Sequence, residues 1–352
     1  MHQSLAGRDD VRPAEADMRQ PSTADGASAA KSHDLSATRP SATRWGRFVR
    51  EVLRGQAQVD LLPSAPTGLV FSIALLAAGW QYGVYGLMGA AVGTGTARLL
   101  GVDRGRVAAG LEGFNSCLVG VACAVFLHAD HLSTLLVAVA ASAAVTVVTA
   151  AAARLLGTWE LPTLTLPFCL TATGLTVAAP GFQHVWHLSD APAALPGTAS
   201  GPTALGFTDL WHAFFANVGE IFLMPQWYVG LIFLLGIFLA DRRMGALACA
   251  GSAVGILTSW ALGAPADQVR QGLTGYDAVL VAMALGGVFL VTDAWSVGYA
   301  IVGAVTATVL GPALGALFAP SGGHAFTWPF VLVSLVFLAA VPAFPRLRRA
   351  TG

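Results

Sequence analysis

Shifted by 162 residues, this sequence lies on itself in a single ungapped register. Gln58, Pro63 and Gly68 fall on Glu220, Pro225 and Gly230, and Gly89 and Gly93 fall on Gly251 and Gly255. The stretch "GLEGFNSCLVGVA" (110–122) falls on "GLTGYDAVLVAMA" (272–284), and Thr165, Pro167 and Phe168 fall on Thr327, Pro329 and Phe330. One register held over about 100 residues constrains the fold more than any local pattern, because two copies of one structural unit must then share one core. An apolar alphabet inflates chance matches, but it does not explain coincident Gly, Pro, Thr and Gln/Glu positions.

Both copies are apolar. Of 352 residues, 55% are hydrophobic and 11% charged, where a soluble domain carries roughly 25% charged residues; the chain reads as an all-α polytopic membrane protein. Five spans are expected in the first copy, at 67–81, 82–100, 107–127, 132–155 and 160–180. Five more follow at 228–241, 244–262, 269–290, 293–318 and 326–344. An odd span count makes the two copies enter the bilayer from opposite sides, so the repeats are expected to be inverted about a pseudo-two-fold axis in the membrane plane. Arg44, Arg47, Arg50 and Arg54 precede the first span and "RLRR" (346–349) follows the last. The positive-inside rule then puts both termini in the cytoplasm and the chain in the cytoplasmic membrane.

The organisation that follows is a polar tail over 1–43, a first repeat over 44–181, a loop over 182–211, a second repeat over 212–345 and a basic end over 346–352. The tail has the composition of a disordered segment and lacks the apolar stretch of a signal peptide. Next to it, "TRWGRFVREVLR" (43–54) reads as a basic amphipathic lead-in suited to anionic headgroups.

Each copy also holds a segment too short to span: "VLRGQAQVDLLPSAP" (52–66) and "FANVGEIFLMPQWY" (215–228). Each carries one amide or acid, Gln58 or Glu220, and a proline five residues later. Ten helical residues at roughly 1.5 Å each reach half-way through a bilayer. These segments read as re-entrant half-helices, whose broken backbone survives only inside protein or beside a wet cavity. The alternative is a helix lying on the surface, where Glu220, among apolar neighbours, has little to hold it.

The run "LPTLTLPFCL" (161–170) carries two prolines and two threonines in apolar surroundings. A proline inside a helix pushes aside the carbonyl four residues back, here that of Thr163. Freed carbonyls and the Thr165 hydroxyl would form a row of acceptors, with Thr327 and Pro329 building the mirror row. A proline kink patched by threonine in a packed bundle is the plainer reading; recurrence in both copies favours a polar path. Phe114 with Leu118, and Tyr276 with Leu280, stand one helical turn apart on one face, as flat apolar walls or as plain core. An ion would lose too much hydration in such a slot, and water would leave the walls unused. A small, planar, neutral solute with several N–H donors fits, and urea is the simplest one.

Other chemistry finds little support. Net charge is zero, so no nucleic-acid partner is implied. Cys117, Cys123, Cys169 and Cys249 lie singly in apolar runs, and His184 with His187 make too few ligands for a metal. No cofactor is expected. No HExxH or GxSxG motif and no acid pair points to an enzyme.

These residues resemble a known family. "LPTLTLPF" (161–168) is similar to the LPxxTxPF signature of the urea transporters. "GLEGFNSCLVG" (110–120), "QVDLLPSAPTG" (58–68) and "EIFLMPQWYVG" (220–230) resemble that family's glycine-rich and pore-helix stretches, in the same order. The resemblance covers about 50–345. It implies two inverted repeats of five spans plus one re-entrant helix each, a central pore in every protomer of a homotrimer, and passive single-file passage of urea through three positions in a selectivity filter. Thr165 and Thr327 would supply the filter hydroxyls, Gln58 and Glu220 would face the outer sites, and Phe114, Leu118, Tyr276 and Leu280 would form the walls. Leu61 and Leu223 stand where the family often has an aromatic. The second signature reads "GHAFTWPF" (323–330), with Gly323-His324 in place of Leu-Pro. His324 would lie near a mouth, and Asn115 pairs in register with Asp277, an acid that needs a partner if buried. The competing reading is a proton-coupled carrier of a small amide or ammonia, working through Glu220, Asp277 or His324.

Overall fold

The computed structural model describes residues 43–187, 195 and 197–350, and among them the chain is helical without a β-strand. The first half gives α1 (Arg44–Ala57), α2 (Ala65–Ala78), α3 (Trp80–Leu99), α4 (Arg104–Ala109), α5 (Phe114–Phe126), α6 (Leu132–Gly157) and α7 (Leu166–Ala178). The second gives α8 (Phe207–Gly219), α9 (Trp227–Ala240), α10 (Arg242–Ala261), α11 (Ala266–Arg270), α12 (Tyr276–Met283), α13 (Ala294–Phe318) and α14 (Trp328–Ala340). The starts of α2 to α7 recur in α9 to α14 at the offset of 162 residues, and the 3₁₀ turns Gln58–Asp60 and Glu220–Phe222 match in the same way.

Local chemistry sets the ends. Ser64 and Asp103 accept the backbone N–H of Thr67 and Arg106 at the starts of α2 and α4, and Asp241 does the same for Arg243 and Met244 at α10. After each 3₁₀ turn the chain reverses through a leucine in the left-handed region, Leu61 at φ 63° and Leu223 at φ 62°. The helices on either side bend by 76° and 75°. Leu132–Gly157, Arg242–Ala261 and Ala294–Ser321 are each long and apolar enough to cross a membrane, and each bent pair supplies one more candidate.

Several expectations change in detail. The basic lead-in and the front of the first short segment are one helix, α1, which ends at Ala57. Its counterpart α8 begins at Phe207, inside the stretch expected to be loop. The spans 107–127 and 269–290 each divide, because Gly110 (φ 85°) and Gly272 (φ 83°) turn the chain out of the helix. The prolines of 161–170 do not kink a helix: residues 161–163 lie outside any helix, and α7 begins only at Leu166, with Pro167 in its first turn. The Thr163 carbonyl is therefore not freed, since it accepts the Leu166 N–H at 3.1 Å. Of the tail over 1–43 only Thr43 is among the described residues, as are only parts of the loop over 182–211 and of the basic end.

The two halves meet where matching residues touch. Phe71 of α2 and Phe233 of α9, one position in the two copies, stand edge to face with ring centroids 4.9 Å apart, and Phe222 stacks on Phe233 at 4.5 Å. The Thr67 hydroxyl donates to the Gly236 carbonyl across the same seam. Within each half a glycine lets helices cross at backbone contact. A Cβ on Gly68 would lie 1.8 Å from the Leu53 carbonyl oxygen, and one on Gly230 would lie 1.8 Å from that of Phe215.

Candidate functional site

Thr165 and Thr327 are the residues immediately before α7 and α14. Both are buried, and their hydroxyl oxygens stand 2.7 Å apart, so either could donate to the other. The Cys169 thiol lies 3.2 Å from the Thr327 hydroxyl. Its counterpart in the other half is Val331, so the two hydroxyls meet different surroundings.

Each helix start is pinned from a neighbouring helix. Asn115 Oδ1 on α5 accepts the Phe168 N–H at 3.1 Å, and Asp277 Oδ1 on α12 accepts the Phe330 N–H at 3.1 Å. The residues just before the threonines are strained: Leu164 sits at φ 48° and Phe326 at φ 41°, both non-glycine and both buried. Left-handed backbone costs such residues about 1–2 kcal/mol, and it persists where the surroundings over-determine it. The Tyr276 hydroxyl donates to the Phe326 carbonyl, and the Asn115 amide reaches the Leu164 carbonyl at 3.5 Å. Carbonyl acceptors do lie beside the threonines, then, but a backbone reversal presents them, not a proline kink.

Tyr276 shares a cavity of about 450 Å³ with Glu220, Leu223, Phe126, His324 and Phe326. Glu220 is buried, although a wall of the cavity. The Phe126 ring lies 4.2 Å from that of His324 and edge-on to Phe326, which in turn meets Phe168 edge to face at 5.3 Å. Gln58, the counterpart of Glu220 in the repeat, donates from Nε2 to the Ala109 carbonyl at 2.9 Å. Leu61 is half-buried, and Phe114 is buried at the start of α5. Leu118 and Leu280 are fully buried in the core. Glu220, Leu223 and Tyr276 therefore come together in one cavity, and Thr165 meets Thr327. Gln58, Leu61 and Phe114 are not among the residues that line that cavity.

Sequence reasoning missed Phe126 and Phe326 as cavity walls. It also missed the shared role of Asn115 and Asp277, although their pairing in the repeat was the available signal.

The family model described as "UT: Urea transporter" matches residues 49–342. The chain belongs to the urea transporter family. Among its relatives, Urea transporter 1 of Mus musculus is 31% identical over 309 residues, which cover 86% of this chain and 79% of the mouse protein. Urea transporter 1 of Rattus norvegicus matches to the same extent, and that of Capra hircus is 30% identical over 305 residues. With its apolar helices, this urea transporter family member is an integral membrane protein.

Proposed function

We propose that the chain carries urea passively across the membrane through a selectivity filter centred on Thr165 and Thr327. The observation that carries this reading is the 2.7 Å contact between two buried hydroxyls that begin symmetry-matched helices. Each hydroxyl offers one donor and two acceptor lone pairs. With the carbonyls of Leu164 and Phe326 close by, a planar amide passing between the helices finds acceptors for its N–H edge. The cavity at Glu220, Leu223 and Tyr276 forms the outer position. Gln58, Leu61 and Phe114 form its counterpart, and Leu118 and Leu280 back the walls.

In this account the two halves are inverted copies, each of five spans and one re-entrant helix, α1 or α8. Contacts between identical positions of the two copies, Phe71 with Phe233 and Thr165 with Thr327, are what a two-fold relation produces. The basic residues flanking the first and last spans support cytoplasmic termini in a cytoplasmic membrane, and the family resemblance supports a homotrimer with one pore per protomer. The proton-coupled alternative draws no support from the family match.

The test is reconstitution into liposomes, with urea-driven volume recovery followed by light scattering. Recovery faster than in empty liposomes, collapsing the urea gradient without net accumulation under a pH gradient, is the expected result. Rates equal to those of empty liposomes would reject it.

A further inference from the structure

At the end of the molecule where α1 begins, α1, the last turn of α3 and the turn into α4 enclose a cavity of about 940 Å³. Arg44, Arg47, Arg98 and Arg104 line it, with Glu51 and Asp103. The two acids are engaged: Glu51 pairs with Arg98 at 2.5 Å, and Asp103 accepts the Arg106 N–H as the cap of α4. Among the described residues no carboxylate lies within ion-pair distance of Arg44, Arg47 or Arg104. Among the described residues, three guanidinium groups without an ion-pair partner thus line one hollow, which favours an anionic oxygen ligand such as a phosphate.

The rim says what kind of phosphate. Trp45, Leu99 and Leu100, each next in the chain to a residue that lines the cavity, are 72%, 89% and 64% exposed. A ligand with a phosphate and a long apolar chain satisfies the hollow and the rim together; a free anion satisfies only the hollow. The repeat strengthens the point. The positions matching Arg44, Arg47, Arg98 and Arg104 in the second half are Gly206, Asp209, Trp260 and Ala266. The cationic hollow therefore belongs to one end of the molecule and does not follow from the duplicated fold.

We propose that this cavity binds the headgroup of an anionic phospholipid from the facing leaflet, and that the bound lipid steadies the wall of the conduction path. The second clause rests on the transport reading. Two of the three helices that border the cavity lead toward the proposed path: α1 runs directly into Gln58 and Leu61, and α4 ends at Ala109, five residues before Phe114. Arg54 donates to the Ala108 carbonyl at 2.8 Å and Gln58 to that of Ala109 at 2.9 Å, tying α1 to α4. A lipid phosphate bridging Arg47 and Arg104 would close the same pair of helices from outside.

Native mass spectrometry of the full chain from nanodiscs of phosphatidylcholine, with or without phosphatidylglycerol, tests the site. The expected result is selective retention of phosphatidylglycerol, and a melting temperature about 4 °C higher in its presence. Arg47→Gln with Arg104→Gln, melting like the wild type in phosphatidylcholine alone, should weaken retention about fivefold per arginine and lose the thermal gain. If that variant does not fold, the wild type alone decides: equal retention of the two lipids overturns the proposal. Unchanged retention in a folded variant overturns it too, as does the same thermal gain from inorganic phosphate in phosphatidylcholine, which would assign the hollow to a soluble anion. Retention is read without urea, so the site stands or falls independently of transport. Urea permeability that rises with phosphatidylglycerol in the wild type and not in the variant is expected for the coupling; lipid retention without that rise would overturn it.

Discussion

Asn115 and Asp277, one position in two copies of one unit, do the same work with different chemistry. The Oδ1 of each accepts, at 3.1 Å, the N–H of the phenylalanine that follows a proline, Phe168 or Phe330. First-turn N–H groups have no partner within their own helix, so an oxygen supplied from α5 or α12 fixes where α7 and α14 begin. Those starts carry Thr165 and Thr327.

Because only the oxygen is needed there, Asp277→Asn should be far milder than Asp277→Ala. The alanine leaves a buried N–H unpaired, which costs about 1–3 kcal/mol, and Asn115→Ala should cost a similar amount. Thermal unfolding in detergent checks the order, and equal losses for Asp277→Asn and Asp277→Ala would show that the acidic charge itself matters.

Tyr276 holds the strained Phe326 through its hydroxyl. Tyr276→Phe keeps the ring and the cavity wall but releases that carbonyl. Urea permeability should fall roughly fivefold, the equivalent of about 1 kcal/mol. Stopped-flow light scattering on proteoliposomes measures it, and wild-type rates would remove Tyr276 from the positioning machinery.

Glycine substitutions should sort by what a methyl group would meet. Gly68→Ala and Gly230→Ala drive a Cβ to within 1.8 Å of a carbonyl oxygen in the crossing helix, so each should abolish a monodisperse peak on size exclusion. Gly174→Ala, with nothing within 4 Å of the new atom, should be neutral or slightly stabilising, by about 0.5–1 kcal/mol. A well-behaved Gly68→Ala would mean that α1 and α2 cross less closely than described.

Outside the spanning helices, His187 stacks on His131 at 3.7 Å, and its Nε2 lies 2.9 Å from the Ser133 hydroxyl. Partial shielding from water, and then His131 and His128, hold its titration below the usual histidine value of 6.5. The folded form thus binds fewer protons than the unfolded one, so stability should fall as pH drops through that usual value, and level off below the folded one. Melting temperatures from about pH 8 to about pH 5 should decline less in His187→Gln. The same decline in both would place the pH sensitivity elsewhere.

Much of this was legible in the sequence, because a register of identical positions survives where propensity is silent. It put Thr165 opposite Thr327 and paired Phe114 and Leu118 with Tyr276 and Leu280. It also anticipated the breaks within 52–66 and 215–228, where the chain reverses at Leu61 and Leu223. What stayed hidden was backbone direction. Leu161, Leu164 and Leu166 keep the run apolar, so hydropathy reads a continuous helix through 160–165 where Glu160 and Leu164 in fact turn left-handed. Pro167 consequently looked like a mid-helix kink, although it begins one. The division of 107–127 at Gly110 was hidden for the same reason. The role of Asn115 was out of reach for a different one: its partner, the Phe168 N–H, is 53 residues away, and no local pattern encodes that contact.

The account turns on solute passing between Thr165 and Thr327, and the most direct test is urea permeability of proteoliposomes carrying Thr165→Val with Thr327→Val. Valine keeps the shape and removes both hydroxyls. If the variant melts like the wild type, the loss of two hydrogen bonds of about 1 kcal/mol each predicts permeability lower by roughly thirtyfold. A folded double variant that still passes urea at the wild-type rate would contradict the account.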